Sequence, residues 1–326
     1  MRTMVFLLLH IALLATDFDC ILVGSSPFSL FEALYQNRLG HRVLVLEEAG
    51  ECGGAWKGID VCGVQHADLG CHQIGRDLHL KAFLEKYTGC KIVPMDYPDQ
   101  PFDSAALGPN GWYFSRGCYE LIENLLALIA KTDIVILNHT RAELITIDAA
   151  QQIATVKTNA QSYTAKKVIV TPMSSVPLQS MHSGPHESKS KYLHLYMLIQ
   201  DPTPPRFSYY GGAVRGCSRM MNLTPFVDLA GTGRQLIVLQ VHSENDLWNG
   251  QALLNGLKQN KLVDEGAYIL ESEPYIYETG NFHQGLISSA GGQGIIEVLQ
   301  TGNFINLSSH IPKWEQMLQP VAAGSP

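Results

Sequence analysis

The chain has 326 residues, of which 46% are hydrophobic and 16% charged, and it carries a net charge of −7 at pH 7. That length supports one large domain or two coupled ones around a well-packed core. The acidic balance leaves no electrostatic case for a nucleic-acid partner, and the sequence shows no internal repeat or low-complexity tract.

The segment Met4 to Ala15 is apolar apart from His10 and follows Arg2. It has the character of a secretory h-region but is too short to span a bilayer. Residues 1–17 are therefore expected to be a leader or disordered segment before a cytoplasmic domain. Secretion is the alternative if 1–15 act as a signal, and no integral membrane association is expected. A buried strand is predicted from Phe18 to Val23, a tight turn over Gly24-Ser25-Ser26-Pro27-Phe28-Ser29, a helix from Leu30 to Leu39, and a second strand from Arg42 to Leu46 ending at Glu47. A glycine-rich segment, 50–75, follows. Helical spacing returns at Leu78–Tyr87 and Gly117–Lys131, with a Pro- and Gly-rich loop over 94–111 between them. Ile134 to Leu137 reads as a buried strand, 141–147 with 152–158 as a hairpin, and Val168 to Thr171 as a further strand. The stretch 172–190 reads as a connector. Leu193–Ile199 and Leu236–Val241 are β-like and flank a turn-rich middle, Ala252–Gln259 is helical, and Thr301–Trp314 closes the fold.

The opening strand–turn–helix–strand has the layout of a βαβ unit that cradles the ADP half of a dinucleotide. Free backbone N–H groups at a helix N-terminus bind the diphosphate, aided by the helix dipole. The usual G-x-G-x-x-G fingerprint supplies a tight turn, close approach and close packing. Here Gly24 keeps the first role, while Ser26 and Ser29 stand at the second and third positions. Ser26 narrows the phosphate approach, although its hydroxyl can donate to a phosphate oxygen. Pro27 suits a first helical position because it has no N–H to orphan. Glu47, 23 residues beyond Gly24, can accept both ribose hydroxyls; its bland reading is a solvated strand-end carboxylate.

With these residues in place, the chain resembles the flavoprotein superfamily of amine oxidases, protoporphyrinogen oxidases and UDP-galactopyranose mutases. Leu46-Glu47-Glu48-Ala49-Gly50-Glu51-Cys52-Gly53-Gly54 is similar to its acid-x5-Gly-Gly signature. The resemblance implies that the acid holds the adenosine ribose and that backbone at the glycine pair passes the flavin, with Ala55 and Trp56 following. Gly63-Val64-Gln65-His66-Ala67-Asp68-Leu69-Gly70-Cys71-His72 resembles the family's turn beside the isoalloxazine, which makes Asp68, Gly70, Cys71 and His72 cofactor neighbours. Phe114 to Leu121 is similar to the entry where the nucleotide domain resumes. Asn138-His139-Thr140-Arg141 corresponds to the adenine contact, and Thr301-Gly302-Asn303-Phe304 to the turn over the pyrophosphate, with Asn303 in place of Asp.

The expected fold is α/β. A Rossmann-like FAD-binding domain, a parallel sheet with helices on its faces, spans 18–78, 112–180 and 268–326; a β-rich substrate domain spans 79–111 and 181–267. The expected cofactor is FAD and the expected partner a small-molecule substrate. In such an enzyme the flavin carries the redox chemistry and the protein supplies orientation and electrostatics. The binding set is Gly24, Ser25, Ser26, Glu47, Glu48, Gly53, Gly54, Ala55, Trp56, Asp68, Gly70, Cys71, His72, Arg141, Gly302 and Asn303. His72 is the candidate acid–base residue, against a structural reading as a loop histidine satisfied by backbone. Arg206, Arg215 and Arg219 can bind a substrate carboxylate or phosphate or form a solvated basic face. The seven cysteines make no CxxC pair, so no zinc site or disulfide framework is expected. An FAD-dependent oxidoreductase is the leading reading. A redox-neutral flavoenzyme such as a sugar-nucleotide mutase, or a non-catalytic binding protein of the same fold, are the alternatives.

Overall fold

The computed structural model describes residues 16–72, 74, 77–95, 111–171, 176–179, 189–210, 214, 216–280, 294–299 and 310–318. The chain divides into two bodies. The first comprises Met1–Cys52, Ile129–Ser188 and Gly280–Gln300; the second comprises Gly53–Leu128, Lys189–Thr279 and Thr301–Pro326.

In the first body, strand Phe18–Val23 lies between two parallel neighbours, Val43–Leu46 and Ser162–Val170. Val135–Leu137 extends the sheet in parallel beyond Val43–Leu46. Val43–Leu46 is apolar and fully buried along its length, the composition of a parallel strand covered on both faces. Ser162–Val170 changes character midway. Its first half alternates and pairs antiparallel with Ile153–Thr158, while its buried Val168-Ile169-Val170 end pairs in parallel with Ile296–Val298. The expected hairpin is present as Ala142–Asp148 with Ile153–Thr158, and Leu178–Gln179 adds a short parallel strand within the expected connector. A core of Ile21, Leu44, Leu46, Ile145, Val156, Val168 and Val170 fills this sheet.

The helix of the opening crossover runs over Pro27–Arg38, three residues earlier than the apolar pattern predicts. Ser26 is its N-cap and Pro27 its first residue, so the turn chemistry sets the boundary. The helix is buried on nearly every side, and its one buried acid, Glu32, is satisfied by Gln36 at 2.7 Å.

The second body is built on a five-stranded sheet in the order Tyr209–Tyr210, Cys217–Asn222, Arg234–Val241, Lys189–Gln200, Tyr268–Gly280. Along Lys189–Gln200 the side chains alternate. Leu195, Met197 and Ile199 join Ile237, Leu239 and the Leu253, Leu254 and Leu257 stripe of helix Gly250–Gln259 in one core. His194, Tyr196 and Leu198 occupy the other face. Helix Leu78–Thr88 is capped by Asp77, which accepts from the His79 and Leu80 amides, and ends on Gly89 in the left-handed conformation. Helix Cys118–Ile129 follows the short pair Ile92–Pro94 and Trp112–Phe114.

Several strands escape the sequence reading. The glycine-rich 50–75 segment contains a hairpin, Gly58–Val61 with Val64–Asp68. Its two-residue loop, Cys62-Gly63, has positive φ at both positions (50° and 67°), as the tight hairpin turn requires. Cys217–Asn222 lies in the turn-rich middle, and Tyr268–Gly280 carries exposed Tyr268, Leu270 and Ile276 that blur its apolar pattern. Among the described residues no helix is long and apolar enough to cross a membrane.

Candidate functional site

In the first body the backbone delivers a carboxylate to the mouth of the βαβ crossover. Glu47 follows the last residue of strand Val43–Leu46; its N–H donates to Leu137 O at 3.0 Å and its carbonyl accepts from Thr140 N at 2.8 Å. The side chain is 8% exposed, so the solvated strand-end reading does not hold. Its Oε2 accepts from Ser25 N at 3.1 Å and from the Ser25 hydroxyl at 2.5 Å, while Oε1 accepts from Ala49 N at 2.8 Å. Gly24, at φ +90°, makes the turn into this contact, and a Cβ there would meet nothing nearer than Thr171 Oγ1 at 3.9 Å. Conformation rather than crowding calls for glycine there.

The serines at the degenerate fingerprint positions cap the helix. Ser26 Oγ accepts from Ser29 N at 3.4 Å and lies 3.2 Å from Ser29 Oγ. One of the helix N-terminal donors that a diphosphate would use is thus already turned toward a hydroxyl. Glu48 is exposed. The 138–141 segment runs beside this mouth, with His139 N donating to Ala49 O at 3.0 Å. The His139 ring lies over Gly50 so closely that a Cβ on Gly50 would come within 2.8 Å of it. The Arg141 side chain is exposed and turned to Glu143 at 3.5 Å. Cys52 is buried and donates to Asn138 Oδ1 at 3.5 Å; burial pushes its thiol pKa up.

The second body holds the rest of the predicted set. Gly53 has φ +120°, and a Cβ there would lie 3.1 Å from both Ile122 and Lys57; Gly54 has φ +57°. Ala55 O and Leu69 O converge on His72 Nε2 at 2.9 and 2.7 Å. Both partners are carbonyls, so Nε2 carries the proton and donates to both. Trp56 stacks on the His72 ring with centroids 4.4 Å apart. Burial, with a smaller contribution from Arg219, lowers the His72 pKa to about 4, so the ring is neutral near pH 7. Asp68 is fully buried. Tyr113 donates to its Oδ2 and Cys118 N to its Oδ1 at 2.8 Å, at the start of helix Cys118–Ile129, and burial raises its pKa to about 6. Tyr196 OH donates to Asp68 O at 2.7 Å and accepts from Gly70 N at 2.9 Å. Gly70, at φ +99°, leaves room for His194, whose Nε2 would lie 2.9 Å from a Cβ there. Cys71 Sγ points to Val238 O at 3.7 Å, and burial raises its pKa far above the ordinary thiol value. It is a packed thiol. A groove of about 530 Å³ also opens in this body, lined by His66, Arg116, Tyr119, Phe226, Asp228 and Arg234 among others; none of the predicted residues lines it.

The sequence matches no protein-family model and no curated protein. Solved structures do match. A putative protoporphyrinogen oxidase from Exiguobacterium sp. 255-15 aligns over 94% of this chain and 100% of its own, with a TM-score of 0.62 and 10% identity. Reduced UDP-galactopyranose mutase aligns over 86% and 88%, at 0.58 and 11%. A Rab GDI from Plasmodium falciparum aligns over 92% and 98%, at 0.58 and 11%. The chain has the amine oxidase-like flavoprotein fold. Identities this low show that fold alone, and a fold hosts more than one activity.

Within this flavoprotein fold, Gly24, Ser25, Ser26, Glu47, Glu48 and Arg141 belong to the first body, and Gly53, Gly54, Ala55, Trp56, Asp68, Gly70, Cys71 and His72 to the second. Gly302 and Asn303 lie outside the described residues. In the first body the structure gathers Gly24, Ser25, Ser26 and Glu47; Arg141 points away. In the second it gathers Ala55, Trp56 and His72 in one cluster and Asp68 and Gly70 in another around Tyr196. The sequence reading missed the roles of Tyr113, Tyr196 and His194. Tyr113 carried a signal, since it sits just before a helix N-terminus that a buried acid could cap; the other two are brought in by sheet register.

Proposed function

We propose that the chain binds FAD and acts as an FAD-dependent oxidoreductase on a small organic molecule. The observation that carries this reading is the buried Glu47 carboxylate at the end of the second strand of the crossover, steadied by the Ser25 and Ala49 amides. The residues present fit the ADP half of such a cofactor. Gly24 opens the turn, the Pro27–Arg38 helix directs its N-terminus there, and Glu47 is an acceptor for a ribose hydroxyl. A bound flavin would supply hydride acceptance. Glu47 would orient the ribose, and the helix N-terminus would offset phosphate charge. His72 is held as a neutral ring with its Nε2–H engaged, which leaves Nδ1 to accept a proton.

The serines favour a second reading, a binding protein that keeps the fold without a cofactor. Ser26 fills the helix cap, and the Ser25 hydroxyl occupies the ribose acid. An absorbance spectrum from about 300 to 500 nm on freshly purified protein, with mass identification of any released cofactor, separates the two, because oxidised flavin absorbs there and this polypeptide alone does not. Bleaching by an amine or alcohol donor supports oxidoreduction. A colourless protein that takes up no FAD on incubation refutes the first reading.

A further inference from the structure

The second body carries a row of polar side chains that neither packing nor internal pairing accounts for. His194 of strand Lys189–Gln200 pairs with Gln240 of strand Arg234–Val241, and Gln240 pairs on its other side with Arg219 of strand Cys217–Asn222. Directly paired residues in antiparallel strands project from the same face. His194, Gln240 and Arg219 therefore cross three strands in line, on the face opposite the Leu195, Met197 and Leu239 core. This is also the face whose Tyr196 bonds Gly70 N and Asp68 O.

Two members of the row have unmet valence. His194 is 5% exposed, and its Nδ1 has no hydrogen-bond partner. A buried ring nitrogen left unpaired keeps its desolvation penalty uncompensated, and such atoms in native proteins call for an explanation. Arg219 is half-buried and forms no ion pair among the described residues, in contrast to Arg206, which lies 3.6 Å from Asp264 and donates to Lys261 O. Arg219 is the one charged member of the cluster, and both histidine rings are neutral near pH 7. Arg219 depresses the pKa of both His72 and His194, and His72 depresses that of His194, each adding to the effect of burial. Cys71, which feels the Arg219 charge, has its pKa raised by burial and supplies no counter-ion.

We infer that the His194–Gln240–Arg219 row, with the His72–Trp56 stack beside it, is a binding site for a small molecule bearing a carboxylate. Arg219 provides the charge and the planar fork that matches a carboxylate, Gln240 an amide beside it, and the neutral His194 ring an Nδ1 contact. Trp56 and His72 offer an aromatic wall for the apolar part of the molecule. This names the substrate class for the proposed oxidoreductase and rests on that reading only in calling the ligand a substrate. The site lies wholly within the second body, so anion binding can be measured whether or not a flavin is present.

The test is titration of the full chain with phenylacetate, and with phenylacetamide as its neutral isostere, by calorimetry and tryptophan fluorescence. Saturable phenylacetate binding at least tenfold tighter than the amide is expected. Arg219→Gln should reduce phenylacetate affinity at least tenfold and leave the amide unaffected. Arg219→Lys, which keeps the charge but loses the fork, should fall between. Equal binding of acid and amide by the unaltered protein, or phenylacetate affinity untouched in Arg219→Gln, would overturn the inference, as would absence of saturable binding. The absorbance spectrum reports cofactor content separately, and all titrations compare proteins of equal flavin content.

Discussion

Replacing Ser25 with alanine tests how the first body treats a nucleotide. An ionised carboxylate has about four acceptor positions. In Glu47 three are taken, by Ser25 N, Ser25 Oγ and Ala49 N. A ribose diol brings two donors, so one must displace the Ser25 hydroxyl, the only one of the three that can rotate away. A hydrogen bond to a charged group contributes about 1.5–3 kcal/mol. At about 1.4 kcal/mol per tenfold, its removal should tighten ADP-ribose or FAD binding by about 10- to 100-fold. The same deletion should cost the nucleotide-free protein about 1.5–3 kcal/mol of stability in urea denaturation, because Oε2 loses its strongest donor. Saturating nucleotide should close that gap. Calorimetric titration of both proteins with ADP-ribose, paired with urea curves with and without ligand, reads both arms. Lower stability without tighter binding would show that the hydroxyl does not compete with ribose, and the geometric argument would fail.

Other expectations follow from the same contacts. Glu47→Ala should lower FAD retention at least tenfold, read as the flavin-to-protein absorbance ratio after desalting, with circular dichroism confirming the fold; unchanged occupancy would remove Glu47 from the site. Asp68 titrates near 6 when folded and near 3.9 when unfolded, so the native state holds its proton more tightly and this group favours folding at low pH, the gain being lost as pH rises from 4 to 6. His72 and His194, lowered to about 4, act oppositely: the unfolded chain takes up protons first, and stability rises from pH 4 to 6.5. Asp68→Asn should therefore steepen the rise in stability between pH 4 and 6 by an amount on the order of 2–3 kcal/mol in urea curves, and an unchanged profile would contradict the burial argument. Nitrogen-15 NMR of His72 should show a neutral Nε2–H tautomer at pH 6, and an imidazolium signal there would refute the paired-carbonyl geometry. All seven cysteines are buried, so the native protein should react with a thiol reagent at pH 8 only after unfolding; a fast-reacting thiol would disprove the packed assignment.

The opening crossover was legible because each local signal agreed with the next. Buried strands read as unbroken apolar runs, Pro27 marked a helix start, and an acid ended the second strand. Ser25 stands in the expected binding set, but no sequence signal marks it as the serine that meets Glu47. The fingerprint directs attention to positions 26 and 29, where serine replaces glycine, whereas Ser25 occupies a variable position and meets Glu47 only because the Gly24 turn points it inward. The helix also began earlier than its apolar spacing indicated, since capping by Ser26 and Pro27 decides the boundary. In the second body the limits were tertiary. The Gly58–Asp68 hairpin was hidden by glycines that serve its tight turn and its close approach to neighbours: a Cβ on Gly58 would come within 2.9 Å of His66 backbone.

His194 and Arg219 show most clearly what a linear reading cannot supply. Arg219 was one of three arginines with nothing to rank them. Arg206 proves to be engaged with Asp264 and Lys261, and Arg215 lies outside the described residues. Arg219 stands out only once register aligns it with Gln240 and His194 across strands separated by long stretches of sequence. His194 sits in an apolar run, where a histidine ordinarily signals a satisfied core ring. Its unpaired Nδ1 is a property of the neighbours it lacks, and no residue pattern encodes that. Local chemistry specifies the acid at the crossover, while the His194–Gln240–Arg219 row arises from sheet pairing, so substitutions that shift the Cys217–Asn222 register by one residue would send Arg219 to the opposite face and abolish anion binding without touching the first body.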